Sequence, residues 1–263
     1  MKTLRHDLSS LGLDRFSAVL VHSSFKGMGL TDVQPSGVVS ALVEAAGEHT
    51  SVLFPTLTYS AEDGPTNPPR MDVVRTPCRT GAIPEASRAA AGAVRSWHPT
   101  HSVTALGGRA PQEWTQGHEA GSSPCDESSP YARLIREHGA ILLLGGVTHD
   151  SNTTLHCLEE LAGVPYHLQP ERTWASVEDA SGAEHTVVNW LHQWGWERDF
   201  CVVEPLLTSS GAQKNYRVGA GRAALIDALA MAELLLGVLR SDPLYLLTSD
   251  ARARWQAGEP PLI

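Results

Sequence analysis

Residues 139–161 read GAILLLGGVTHDSNTTLHCLEEL. Gly139 to Gly145 is an apolar run of strand length. A glycine pair and a polar loop follow, and from Asn152 to Leu161 apolar residues recur at helical spacing. This predicts a buried strand that opens into a loop and then a helix, with Asp150 or Asn152 as its cap. A strand with no polar alternation is buried on both faces, the pattern of a parallel sheet covered by helices.

The same unit recurs upstream. Leu4, Leu8 and Leu11 have helical spacing over residues 4–12, Ser17 to Val21 (SAVLV) reads as a strand, and Gly37 to Ala46 (GVVSALVEAA) as a helix closed by Gly47. Ser51 to Pro55 (SVLFP) is another strand. The expected fold class is α/β: a mainly parallel central sheet flanked by helices, with a small appended α+β lobe around 170–205. Without a Pro-rich or Gly/Ser-rich divider, residues 1–263 are expected to form a single domain. Ligands of such sheets bind beyond the carboxyl ends of the strands, which directs attention to the loops His22–Ser24, Thr56–Asp63 and Thr148–His156. Glu62 to Arg79 reads as an irregular loop, Asp179–Gly182 as the turn of a β-hairpin, Val218 to Leu239 as an amphipathic helix, and Asp242 to Leu247 as an apolar closing segment.

The chain has 263 residues, 42% hydrophobic and 19% charged, with 29 acidic against 20 basic side chains and a formal net charge of -9. A chain of this length buries enough surface to fold without disulfide or metal staples. An acidic balance with no basic run argues against nucleic acid and anionic membranes as partners and is compatible with a cationic small molecule. No stretch of about 18 apolar residues and no signal-peptide pattern appears, so a cytoplasmic location is expected. Cys78, Cys125, Cys157 and Cys201 form no CxxC pair and are expected to be free thiols.

Twelve histidines raise the question of metal. His98 with His101, beside Pro99, and His149 with His156, two helical turns apart, lack the spacing of an established zinc signature, so no metal is expected. No GxSxG elbow, phosphate-binding GxxxxGK[ST] loop or GxGxxG turn is present. What remains is the Asn152–Leu161 helix. Its first turn, at Thr153 and Thr154, offers unpaired N–H groups and the positive end of the helix dipole, with His156 one turn deeper. That is a fitting arrangement for deprotonating an amine, and equally that of an ordinary capped helix with a buried histidine.

VLVHSSFKGMG (Val19 to Gly29), GAIPEASRAAAGAVRSWHPTHSVTALG (Gly81 to Gly107) and ILLLGGVTHDSNTTLHCLEELAGVPY (Ile141 to Tyr166), in that order, resemble the three signature regions of the aminoglycoside N(3)-acetyltransferase family, also called the antibiotic N-acetyltransferase family. SSPYARL (Ser128 to Leu134) and SDPLYLL (Ser241 to Leu247) are similar as well. The resemblance covers roughly residues 17–170 closely and the C-terminal part loosely.

It implies transfer of acetyl from acetyl-CoA, as co-substrate, to the 3-amino group of an aminoglycoside antibiotic, by direct attack in a ternary complex. His156 would be the general base, and Glu159, three residues on along the same helix face, would orient its ring. Ser23, Ser24, Phe25 and Lys26 would hold the cofactor, with N–H groups near Ser24 stabilising the oxyanion. His98, Ser102 and Val103 would wall the pantetheine arm, and Thr153 would lie near the thioester. Glu62, Asp63 and Glu85 would face the cationic amine, and Glu160 is expected to face solvent. Trp190, Trp194 and Trp196 stand where close relatives carry acids, either anchoring the lobe or selecting a different amine. The alternatives are a coenzyme A-dependent acyltransferase for another amine, a metal-dependent hydrolase, and a silent binding protein of the same fold.

Overall fold

A computed structural model describes residues 1–262 of the 263. Its strands are β1 (Ala18–Ser23), β2 (Ser51–Pro55), β3 (Arg70–Asp72), β4 (Val94–Arg95), β5 (Val103–Leu106), β6 (Ala140–Leu144), β7 (Leu168–Glu178), β8 (Glu184–His192), β9 (Gln213–Val218) and β10 (Gly221–Asp227). Its helices are α1 (Lys2–Ser9), α2 (Pro35–Ala46), α3 (Ala82–Arg88), α4 (Pro111–Thr115), α5 (Pro130–Arg136), α6 (Thr153–Ala162), α7 (Glu204–Ser210), α8 (Ala228–Ser241) and α9 (Ser249–Gln256).

Seven strands form one sheet in the order β4-β5-β2-β1-β6-β10-β9. The parallel character belongs to its centre, where β1 runs parallel to both β2 and β6. The outer pairs β2–β5, β4–β5, β6–β10 and β9–β10 are antiparallel. Because side chains alternate across a strand, the three apolar central strands feed two cores. Leu20, Leu53, Ile141 and Leu143 pack on one face with Leu155 and Leu158 of α6 and Met231 and Leu235 of α8. Val19, Val21, Val52, Phe54, Leu142 and Leu144 pack on the other with Leu4 and Leu8 of α1 and Val38 and Leu42 of α2.

The central strands therefore end together at Ser23, Pro55 and Leu144, with two loops against each other there. Ser24 N–H donates to Leu144 O at 2.9 Å. A Cβ on Gly27 would lie 1.9 Å from Gly145 O, and one on Gly145, at φ +78°, 2.2 Å from Ser24 O. Only glycine permits that approach.

The hairpin predicted around Asp179–Gly182 is present as β7 and β8. It forms a three-stranded sheet with β3, which lies within the stretch read as an irregular loop. The reading of Val218 to Leu239 as one helix is corrected: Gly221–Asp227 is β10, and α8 begins at Ala228. An apolar Ala/Leu/Ile run fits a buried strand as well as a helix, and only pairing with β6 decides between them. The four cysteines are free. Among the described residues no helix is long and apolar enough to cross a membrane.

Candidate active site

A cleft of about 740 Å3 opens beyond the carboxyl ends of β1, β2 and β6, bounded on its far side by the end of β8 and the segment after it. The N-terminus of α6 faces into it through Thr153 and His156. Asn152, not Asp150, caps the helix, accepting from Thr154 N–H at 3.1 Å. Its own side chain rests against His149, whose Nε2 is 2.7 Å from Gln213 Oε1. A buried polar chain thus fixes where α6 begins and, one turn on, where His156 sits.

His156 Nδ1 lies 2.8 Å from Glu159 Oε2. The Glu159 side chain is fully buried and is also reached by Arg198 Nε, at 3.0 Å, and by His167 Nδ1, at 3.0 Å. Burial opposes charge on Glu159, but His167 and Arg198 beside it outweigh that and hold its carboxyl well below the usual range. The carboxylate therefore fixes the imidazole with its proton on Nδ1, leaving a lone pair on Nε2, which has no protein partner among the described residues. Burial lowers the His156 pKa, only partly offset by Glu159, so the ring is neutral near pH 7.

The structure places the other expected residues unevenly. Ser23 and Thr153 line the cleft. Ser23 Oγ and His22 Nε2 are buried at its edge without hydrogen-bond partners, which fits a polar ligand laid across the end of β1. Ser24 lies behind, its N–H engaged by Leu144 O and its Oγ accepting from Gly27 N–H at 3.1 Å. The expected oxyanion donor at Ser24 is thus not free. Phe25 packs on the second core, and Lys26 is exposed outside the cleft lining.

His98, Ser102 and Val103 are fully buried behind the wall. His98 Nε2 is 2.7 Å from Asn189 Nδ2, and Ser102 Oγ accepts from Arg95 Nε at 2.9 Å. Their segment reaches the cleft through Thr100 and His101 instead. Of the three expected acids only Asp63 lines the cleft. Glu62 is exposed outside it, and Glu85 is paired with Arg88, which lowers its pKa to about 2. The reading of Glu160 as solvent-facing is corrected: its side chain is 4% exposed and bonded to His192.

Sequence reasoning missed His192 and Arg198 and gave no binding role to Tyr59, Asp150 and Glu197, all in the lining, although Tyr59 and Asp150 fall in the loops it pointed to. Glu197 carried a signal as well, as the first acid after the tryptophans. Of those, Trp194 is 40% exposed at the cleft with Tyr59 5.2 Å away. Trp190 lies under Arg172, and Trp196 is packed on Trp255. His156, His167 and His192 bring one ligand atom each within 4.8 Å of one another. Arg198 Nη2, 3.0 Å from His167 Nδ1, puts a fixed positive charge beside that cluster and opposes a metal ion there.

The family model for aminoglycoside 3-N-acetyltransferases matches residues 20–240. Aminoglycoside N(3)-acetyltransferase IV of Salmonella sp is 31% identical over 240 residues, covering 91% of this chain and 87% of the relative. Among solved structures, a histidine-to-alanine variant of aminoglycoside acetyltransferase AAC(3)-IVa in complex with a gentamicin superposes with a TM-score of 0.78 at 28% identity, over 98% of this chain and 92% of that one. The binary complex of AAC-IIIb with CoASH does so with a TM-score of 0.74 at 26% identity, over 91% and 96%.

Proposed function

Since this chain belongs to the aminoglycoside 3-N-acetyltransferase family, we propose that its cleft binds acetyl-CoA and an aminoglycoside together and transfers the acetyl group directly to the 3-amino nitrogen, inactivating the antibiotic. The observation that carries this reading is His156, held by Glu159, which Arg198 in turn holds, with an unengaged Nε2 at the cleft. As the amine attacks the thioester carbonyl, Nε2 takes its proton and returns it to the leaving thiolate.

Holding both reactants in one cleft contributes on the order of 7 to 11 kcal/mol of the barrier reduction, and a positioned base about 10² to 10⁴-fold in rate. The developing oxyanion is assigned to the first turn of α6 at Thr153, whose N–H is left over once Asn152 has taken those of Thr154 and Leu155, with the helix dipole acting beside it. Ser23 and His22, with their unpartnered polar atoms, are assigned to the acetyl-CoA side. Asp63, Asp150 and Glu197 outnumber Arg79 and Arg198 in the lining, a balance that suits a cationic amine.

The test is thiol release from acetyl-CoA across a panel of aminoglycosides that includes gentamicin. Turnover is expected, with His156→Ala reducing kcat about 10² to 10⁴-fold while leaving CoA binding in place. No release with any aminoglycoside would reject the substrate assignment, and near-normal kcat in His156→Ala would reject the base.

A further inference from the structure

Two adjacent glutamates on α6 face opposite electrostatic surroundings. Glu159 has Arg198 as a permanent cation. Glu160 is equally removed from water, but its bonds come from neutral groups: Ser123 Oγ, Cys125 N–H at 3.0 Å, and His192 Nε2 at 2.7 Å. His192 ends β8 and lines the cleft, its ring centroid 5.1 Å from that of His156. The acetyl-transfer reading, on which this inference rests, leaves one proton unassigned. An aliphatic amine is an ammonium near neutral pH, releasing its proton at about pH 8 to 10. It has no lone pair until that proton is gone, and His156 handles only the second.

We propose that the Glu160–His192 pair is a second proton acceptor of this cleft, taking the proton that the ammonium substrate sheds before its nitrogen attacks. The sequence balances. The ammonium N–H bond breaks as its proton goes to His192 Nδ1 and the Nε2 proton passes to Glu160 Oε1, leaving a neutral amine. The N–C bond then forms, His156 takes the second proton, the C–S bond breaks, and His156 protonates the thiolate. The amide and CoASH leave, and the pair releases its proton to water through the open cleft, so one proton is set free per turnover.

The surroundings suit the task. Burial, with Asp126 and Glu159 nearby and the neutral His167 3.8 Å away, raises Glu160 to about 8, so at pH 7 the pair accepts only through its minor deprotonated fraction and becomes fully available above pH 8. Burial and the neighbouring His167, His101, His156 and Arg198 keep His192 itself neutral. A proton on the pair is therefore favoured on the glutamate side, away from His156. The divergence of two neighbouring carboxyls gives each its role: Glu159 stays anionic and orients, while Glu160 gains and loses a proton.

The experiment compares wild type, Glu160→Gln and His192→Gln with gentamicin and acetyl-CoA from pH 6.5 to 9.5 by thiol release, with CoA binding by calorimetry as the check on folding. Both variants are expected to bind CoA as the wild type does and to lose about 10-fold in kcat/KM at pH 7, the one-unit gap between a pair titrating at about 8 and an amine titrating at about 9. That deficit is expected to close toward pH 9.5, where water already deprotonates the amine. A deficit of equal size at every pH is what a structural role produces and overturns the proposal, as does no deficit at pH 7. In the wild type, independent of any variant, kcat is expected to carry a limb near pH 8, and its absence also overturns the proposal. Absence of thiol release from the wild type instead strikes the acetyl-transfer reading and this proposal together.

Discussion

At the scale of single residues, the site turns on which carboxylate has a cation. Glu159 with Arg198 fixes one imidazole tautomer, so His156 is expected, by nitrogen NMR, to be neutral at pH 7 with its proton on Nδ1 and to titrate below the ordinary imidazole value of about 6.5. Glu159 stabilises the imidazolium, so Glu159→Gln is expected to lower the His156 pKa further and to reduce kcat about 10²-fold or more, since the amide no longer enforces the tautomer. An unchanged titration would show that Arg198 and His167, not Glu159, set the ring. His156 and Glu159 were legible in the sequence because i, i+3 spacing on a capped helix puts them together. Arg198 was not, because it reaches Glu159 from 39 residues away in the chain.

At the scale of elements, α6 and the loop behind it set the precision of the site. Asn152→Ala removes the cap and is expected to cost about 1 kcal/mol in a urea melt, with a larger proportional loss in kcat than in CoA binding. Gly145→Ala is expected to cost at least about 2 kcal/mol, because the added Cβ meets Ser24 O in a backbone contact that has no room to yield. Loss of less than that would mean the Ser24–Gly27 loop moves freely against β6. The strand, loop and helix around Asn152 follow from local pattern. Strand β10 does not: its apolar run has no helix or strand signature of its own, and pairing with β6 decides it.

At the scale of the whole molecule, the unusual feature is a set of buried neutral imidazoles. His22, His98, His101, His118, His167 and His192 are all lowered chiefly by burial. A histidine lowered in the folded state contributes stability that is present above its unfolded value of about 6.5 and is lost as pH falls below it, up to about 1.4 kcal/mol per group per pH unit. Glu160, raised to about 8, has the opposite sign: its contribution is present below about 4.3 and is lost as pH rises through about 8. Calorimetry is therefore expected to find Tm highest near pH 6.5, falling steeply in acid and gently in base, and Glu160→Gln is expected to flatten the alkaline side. By itself, the sequence determined the α/β class, the strand-end position of the cleft and the contact of His156 with Glu159, because hydrophobic period, caps and helical spacing act over a few residues. Only the tertiary structure decided that Glu160 is buried, that Glu62 and Glu85 stand outside the cleft, that His98 and Ser102 lie behind its wall, and that His192 and Arg198 complete it. Burial and charge pairing are properties of groups brought together from distant parts of the chain, and no local pattern records them.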